Sequence, residues 1–125
     1  MIQVENSPRV LIVDDDESIL LLLQMQIKKC GNYQIFVARN GLEAIEQYLT
    51  INPEYIFMDL NMPVMDGINA TKEIRLLEIE EQKKTKIFAI SMSMPDEMRD
   101  ACITAGMDEM MEFPFRLDNV QKLLN

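Results

Sequence analysis

The sequence contains no histidine and no tryptophan, and only two of its 125 residues are cysteine. Without histidine it can form no His-based metal site, no catalytic triad and no imidazole acid/base pair. It also cannot act as a phosphohistidine donor. Any phosphoryl group that this protein carries must therefore come from another molecule.

Cys30 and Cys102 are too few for a disulfide framework, and both are predicted to be inert helix residues. The sequence shows no signal peptide and no apolar run long enough to span a bilayer. We therefore expect a cytoplasmic protein with no membrane partner.

Basic residues are scarce: 12 Lys and Arg stand against 21 Asp and Glu, for a formal net charge of -9. This balance repels phosphate backbones unless a basic patch is well segregated. The longest basic cluster, residues 83–86, is predicted to be a solvated helix end and loop. We therefore expect no nucleic-acid partner.

The length and the 48% hydrophobic content allow one core and leave no room for a second domain of ordinary size. Residues 1–8 are predicted to be a loose leader, and residues 9–125 a single domain. No internal repeat or interior linker interrupts that domain.

Apolar strand patterns alternate with helical patterns along the chain. The predicted strands are Arg9–Val13, Tyr33–Ala38, Tyr55–Met58, Ile87–Ile90 and about Glu109–Glu112. The predicted helices are residues 18–29, a second helix that contains residues 42–49 and stops before Pro53, then 68–81, 95–105 and 116–124. Short connections between such units predict an α/β fold, a doubly wound five-stranded parallel sheet with right-handed crossovers.

Several polar residues and glycines mark the ends of these elements. Asp16 is predicted to cap the first helix or to lie in its first turn, and Gly31 to end that helix as a left-handed cap. Asn40 with Glu43 resembles a capping box for the second helix. Asp66, followed by glycine, is a turn signal.

Aspartates follow two of the apolar runs. Asp14, Asp15 and Asp16 come after Val-Leu-Ile-Val, and Asp59 comes after Tyr-Ile-Phe-Met. The crevice of a parallel sheet lies beyond the carboxyl ends of its strands, so two strands deliver acid to one place. Carboxylates gathered in this way suggest a metal ion and a phosphoryl group.

Four segments carry a family resemblance: VLIVDDD at 10–16, MDLNMPVMDG at 58–67, AIS at 89–91 and AGMD at 105–108. They resemble the receiver domain of two-component response regulators, and the similarity covers essentially the whole chain. The AGMD segment and the long third helix look more like receivers attached to hybrid histidine kinases. The family fold is the flavodoxin-like (βα)5 sheet predicted above.

The resemblance implies a role for each matching residue. Asp59 is the expected phosphoacceptor, and Asp14 and Asp15 are expected to hold Mg2+ together with Asp59 and the backbone carbonyl of Asn61. Ser91 is expected to supply the hydroxyl that moves toward the phosphoryl group. The alternative for Ser91 is a strand-end serine that forms a local backbone hydrogen bond.

The chain departs from the family where receivers usually have lysine followed by proline, because it has Phe113 and Pro114. Phenylalanine there removes a cation and is expected to place an apolar ring beside the phosphoryl dianion. Arg116, Lys86 and Arg75 are candidates to compensate, although each is more typical of a surface charge. The resemblance also predicts a cis peptide bond before Pro114.

Methionines occupy the region expected to switch. Met92 stands beside Ser91, where the family usually has a small residue and where it would narrow access to Asp59. Met110 stands where a switching aromatic is common, and either residue is alternatively core filling. The remaining methionines of this region are expected either to form a docking surface or to fill the core: Met94, Met98, Met107 and Met111.

The sequence thus predicts a phosphoacceptor receiver rather than an enzyme with a separate substrate, although a receiver catalyses steps of its own phosphorylation and dephosphorylation. The expected partners are a histidine kinase or histidine phosphotransfer protein, and an output protein that binds the fourth helix, fifth strand and fifth helix. The alternative is a pseudo-receiver that binds proteins without phosphorylation. A metal-dependent phosphohydrolase is disfavoured, since no second acid/base residue accompanies the nucleophile.

Overall fold

Five parallel strands form one sheet, in the order β2-β1-β3-β4-β5, in the computed structural model, which describes residues 6–125. The strands are β1 (Arg9–Val13), β2 (Gln34–Ala38), β3 (Tyr55–Asp59), β4 (Lys86–Ser91) and β5 (Glu109–Glu112). The helices are α1 (Glu17–Cys30), α2 (Gly41–Ile51), α3 (Gly67–Glu81), α4 (Asp96–Ala105) and α5 (Leu117–Leu124). The predicted doubly wound parallel sheet is confirmed.

Alternate residues of each inner strand face opposite sides of the sheet, and both sides are covered. In β1, Val10 and Ile12 belong to the apolar cluster that includes residues of α1 and α5. Leu11 and Val13 belong to the cluster that includes residues of α2, α3 and α4. All four side chains are fully buried, which explains why the strand reads as a continuous apolar run.

Most element ends follow the predicted capping residues. The Asp16 carboxylate accepts a hydrogen bond from the Ser18 amide at 2.9 Å, and the Asn40 side chain accepts one from the Glu43 amide at 2.9 Å. The prediction of a left-handed cap at Gly31 is wrong. Its φ of 156° and ψ of -165° lie far from the left-handed helical region, in a positive-φ conformation that mainly glycine adopts, since the chain runs from α1 almost directly into β2.

Asp66 and Gly67 begin a helix instead of forming a free turn. The Asp66 carboxylate accepts a hydrogen bond from the Asn69 amide at 2.8 Å, so Asp66 is the N-cap of α3. Gly67 packs so tightly on the end of β3 that a Cβ atom there would lie 2.8 Å from Met58 Cγ and would also clash with the Asp59 carbonyl. This close approach brings the start of α3 against the end of β3.

The predicted boundaries differ from the observed ones by one residue at several ends. β3 and β4 each extend one residue further, so Asp59 and Ser91 are the last residues of their strands. Pro95 and Arg116 are N-caps rather than first helical residues. The predicted cis bond between Phe113 and Pro114 is confirmed.

The predicted leader covers residues 1–8, and residues 1–5 of it lie outside the described residues. The Ser7 and Pro8 carbonyls accept hydrogen bonds from the side chain and backbone of Gln34, at 3.0 and 2.9 Å. These two residues are therefore attached to the start of β2. Among the helices of residues 6–125, none combines the length and apolar character that crossing a membrane requires.

The connection between β3 and α3 contains a strained turn. Val64 has a φ of 71° and is 78% exposed, and the Met65 amide donates to the Pro63 carbonyl at 2.7 Å across it. A β-branched residue rarely adopts positive φ, because its Cβ approaches the backbone too closely. Because the Val64 side chain is largely exposed, its burial contributes little to offset that strain.

Val64→Gly is therefore expected to raise the free energy of unfolding by about 1 kcal/mol, the steric relief minus the extra chain entropy of glycine. Urea denaturation of both proteins measures the change. Val64→Ala is the matched control, since alanine keeps the steric penalty. Equal effects of the two substitutions would show that the backbone conformation is not the cause.

Candidate functional site

Three carboxylates meet at the carboxyl edge of the sheet. Asp14 directly follows β1, Asp15 is next, and Asp59 ends the neighbouring β3. One carboxylate oxygen from each lies within 4.8 Å of the others. The strand order therefore brings together the acidic residues that the sequence predicted would meet.

Backbone amides hold two of these carboxylates. Asp14 Oδ1 accepts a hydrogen bond from the Asp16 amide at 2.9 Å, and Asp59 Oδ1 accepts one from the Asn61 amide at 3.3 Å. The Asp14 amide in turn donates to the Ala38 carbonyl at 3.1 Å, which ties the end of β1 to the end of β2. The acids thus lie at the end of β3 or directly after β1, and backbone hydrogen bonds orient two of them.

Burial and charge repulsion raise the pKa values of Asp14 and Asp59 and so favour their protonated forms. Burial, followed by the charge of Asp14, raises the pKa of Asp59 to about 7. Burial also raises the pKa of Asp14, which is 6% exposed. A hard divalent cation relieves such repulsion, and an all-oxygen donor set is the one that Mg2+ prefers. The residues present therefore fit Mg2+.

The carboxylates open into a cavity of about 190 Å3. Its polar walls also include Asp16, Asn61 and Ser91, and its apolar walls are Ile19, Met92 and Phe115. Within residues 6–125, no lysine or arginine lines this cavity. The cavity therefore combines a concentrated negative charge with an apolar side.

Ser91 reaches the cavity from the end of β4. It is 5% exposed, and its hydroxyl donates to the Ser93 carbonyl at 2.8 Å. Both alternatives for this residue are thus visible: the serine makes a local backbone bond, and it also lines the cavity that contains Asp59. The hydroxyl must leave Ser93 before it can donate to a group bound at Asp59.

The ring of Phe113 does not lie where the sequence predicted. It is 41% exposed and does not line the cavity, whereas the ring of Phe115 is 6% exposed and does. The two rings pack edge to face, with centroids 5.6 Å apart. The prediction that Phe113 places its ring beside the phosphoryl group is corrected, because Phe115 is the ring buried in the α1/α5 core and Phe113 covers it from outside.

Sequence reasoning missed Phe115 and Ile19 as cavity residues. The run Phe113, Pro114, Phe115 contained the signal, since it offers two rings, but nothing local indicates which ring turns inward. The backbone of Phe113 nevertheless lies next to the site, because its amide donates to the Ser91 carbonyl at 2.9 Å.

None of the three proposed compensating cations lies at the cavity. Arg75 binds Glu78 and Asp108 at 2.6 and 2.9 Å. Lys86 begins β4, at the opposite edge of the sheet from Ser91. Arg116 is 71% exposed and pairs with Asp118 at 3.5 Å. None of the three is therefore placed to compensate for the missing lysine, and Lys86 and Arg116 are exposed charges, as the sequence favoured.

The methionines divide between core and surface. Met92 is 65% exposed and lines the cavity, so it is not core filling. Three others are buried and belong to the core rather than to a docking surface: Met94, Met107 and Met111. Met98 and Met110 are half-buried against the α2/α3/α4 core, so core filling accounts for both.

Comparison with known proteins agrees with this geometry. The model of the response regulator receiver domain family matches residues 10–125. The chemotaxis protein CheY of Bacillus subtilis is 35% identical over 94% of both chains. Hybrid signal transduction histidine kinase F of Dictyostelium discoideum is 36% identical over 97% of this chain, which spans only 11% of that kinase.

Solved structures share the fold. Vibrio cholerae CheY4 superposes with a TM-score of 0.85 at 27% identity, covering 94% of this chain and 96% of CheY4. The receiver domain of the sensor histidine kinase PA1611 of Pseudomonas aeruginosa, whose structure has a magnesium ion in its active site cleft, gives a TM-score of 0.84 at 26% identity, with 94% of each chain covered. With its family model, its sheet order and its acidic edge in agreement, the chain belongs to the family of response regulator receiver domains.

Proposed function

We propose that Asp59 accepts a phosphoryl group from a phosphohistidine of a partner kinase or phosphotransfer protein, with Mg2+ held by Asp14, Asp15, Asp59 and the backbone carbonyl of Asn61. The observation that carries this proposal is the meeting of three carboxylates within 4.8 Å at the carboxyl edge of the sheet. The partner must supply the histidine, since this sequence has none. The magnesium ion in the related PA1611 receiver supports the metal assignment.

The reaction needs an ionised Asp59. One of its oxygens forms a bond to phosphorus while the bond from phosphorus to the partner's imidazole nitrogen breaks, and the electron pair of that bond stays on the imidazole. The product is an acyl phosphate on Asp59. When bound, Mg2+ supplies charge neutralisation for the phosphoryl oxygens.

Ser91 and the aspartate pair have separate roles in this proposal. The Ser91 hydroxyl exchanges its bond to Ser93 for one to a phosphoryl oxygen, and this movement couples the site to α4 and β5. Asp14 and Asp15 contribute carboxylate ligands to the metal ion. The domain is thus the substrate of its partner and assists its own phosphorylation and dephosphorylation, rather than acting on a separate substrate.

The proposed role includes a location and an output surface. The receiver would act in the cytoplasm and bind its output protein through α4, β5 and α5. Docking there would involve the exposed residues of that face, since its methionines are mostly buried.

Asp59→Asn is expected to abolish labelling by acetyl phosphate in the presence of Mg2+. Mass spectrometry of the intact protein detects the added phosphoryl group. Asp100→Asn, which removes an exposed aspartate of α4, is the matched control and should label like wild type. Labelling that persists in Asp59→Asn would remove Asp59 from the role of acceptor. Failure of every protein to label would favour the pseudo-receiver.

Magnesium binding is expected to be weak and to require both Asp15 and Asp59, because a hard ion held by few carboxylates keeps several waters. Titration of Mg2+ followed by NMR amide shifts should show little binding to Asp15→Ala. Asp16→Asn is the control, since it removes a neighbouring charge while asparagine still caps α1. Unchanged binding in Asp15→Ala would exclude Asp15 as a ligand.

A further inference from the structure

The charge of the cavity remains uncompensated once a phosphoryl group is present. Three carboxylates meet there, and a phosphoryl group adds further negative charge, of which a divalent cation neutralises only part. Within the described part of the chain, no Lys or Arg lines the cavity. Phosphorylation therefore calls for a positive charge that the cavity walls do not supply.

Three arginines near this end of the sheet are each paired with an acid outside the cavity. Arg39 pairs with Glu17, Arg99 with Glu112 and Arg116 with Asp118, at N···O distances of 2.8, 3.9 and 3.5 Å. All three arginine side chains are about half exposed or more and lie at the surface rather than in the cavity.

Apolar side chains lie on one side of the mouth of this acidic cavity. Met92 is 65% exposed at its wall, and Phe115 forms another part of the wall. Phe113 packs on Phe115 and is 41% exposed, and its amide is bonded to Ser91 beside Met92. The mouth thus has an apolar side at Met92 and Phe113 and exposed acids at Asp15 and Asp16, which is complementary to a basic side chain with apolar neighbours on one side.

We propose that the phosphoryl-donating partner supplies the missing cation: one Arg or Lys side chain enters the cavity mouth beside Ser91, and its apolar neighbours pack on Met92 and Phe113. This inference rests on the proposed phosphoacceptor function. A cation supplied in trans binds the phosphoryl oxygens through charge-assisted hydrogen bonds and stabilises the charge of the transition state. The domain then reacts slowly with small donors and quickly with the docked partner, so docking itself selects the donor.

Chemical rescue tests this inference with the intact chain. Labelling by acetyl phosphate at saturating Mg2+ is measured with guanidinium or propylammonium chloride, well below denaturing concentrations, and with tetramethylammonium chloride at equal ionic strength. Guanidinium and propylammonium donate hydrogen bonds, whereas tetramethylammonium carries the same charge without a donor. We expect guanidinium and propylammonium each to raise the labelling rate of wild type by roughly threefold or more, relative to tetramethylammonium. Phe113→Lys, which carries its own cation, should respond much less.

A binding readout accompanies the rate. Guanidinium should tighten the binding of beryllofluoride with Mg2+, measured by NMR shifts of the Ser91 and Asn61 amides, since two ligands that stabilise the same state promote each other's binding. Tetramethylammonium should not change the binding of beryllofluoride.

The outcomes separate this inference from the proposed function. Three results would overturn the supply of the cation in trans while leaving Asp59 as acceptor. Tetramethylammonium could accelerate labelling as much as guanidinium does, neither guanidinium nor propylammonium could accelerate it, or Phe113→Lys could respond as strongly as wild type. If neither wild type nor Phe113→Lys labels above Asp59→Asn under any condition, the phosphoacceptor function fails, and this inference fails with it.

Discussion

Phe113→Lys is expected to speed the labelling of Asp59 by acetyl phosphate, roughly tenfold to a hundredfold, since a single preorganised donor to a developing oxyanion has effects of that order. The Phe113 amide donates a hydrogen bond to the Ser91 carbonyl at 2.9 Å, so position 113 lies beside the cavity, and a long flexible lysine side chain there is expected to turn toward the phosphoryl charge. Its ammonium group would stabilise the phosphoryl charge, which in the proposed wild-type site is stabilised only by the metal ion and the Ser91 hydroxyl. Time courses of labelling at fixed Mg2+ measure the ratio of rates.

Phe113→Leu separates the added charge from the lost ring. Leucine removes the edge-to-face contact with Phe115 but adds no cation, so its labelling rate should stay close to that of wild type. If wild type already labels as fast as Phe113→Lys, a cation of this chain fills the role. Equal acceleration in Phe113→Leu would instead assign the effect to access past the ring.

Asp59→Asn is expected to stabilise the metal-free protein at pH 8 by about 2 kcal/mol, roughly half of what the full pKa shift of Asp59 would give, because the group is partly solvated. Burial and the charge of Asp14 raise the pKa of Asp59 to about 7 from an ordinary value of 3.8. The folded state therefore binds the proton more tightly than the unfolded state. Wild type loses stability as pH rises from about 4 through 7, while Asp59→Asn is spared this loss.

The difference in free energy of unfolding between the two proteins should accordingly be largest above pH 7 and nearly vanish at pH 4. Urea denaturation at several pH values, with a chelator present, measures it. Asp100→Asn should change the free energy of unfolding by less than about 0.5 kcal/mol at each pH. Added Mg2+ should shrink the advantage of Asp59→Asn, since it stabilises only the protein with the full carboxylate set. A difference that is the same at pH 5 and pH 8 would contradict this account.

Much of the fold could be predicted because its signals are local. The fully buried run Val10 to Val13 and the helical spacing of Leu20, Leu23 and Ile27 are visible within short windows. The handedness of strand-helix-strand crossovers then leaves few possible sheets. The errors lie at single residues, such as Gly31, where the direction of the following segment decides the conformation of the cap.

The sequence by itself determined the sheet and the acidic edge. Asp14, Asp15 and Asp59 follow buried strands, and neighbouring parallel strands must end at the same place. Only the tertiary structure decided what surrounds these acids: that Phe115 rather than Phe113 forms the cavity wall, and that Arg75 is held at the opposite edge by Asp108. The reason is physical. Strand ends follow from local periodicity, whereas the position of a side chain depends on packing and ion pairs with residues far away in the chain.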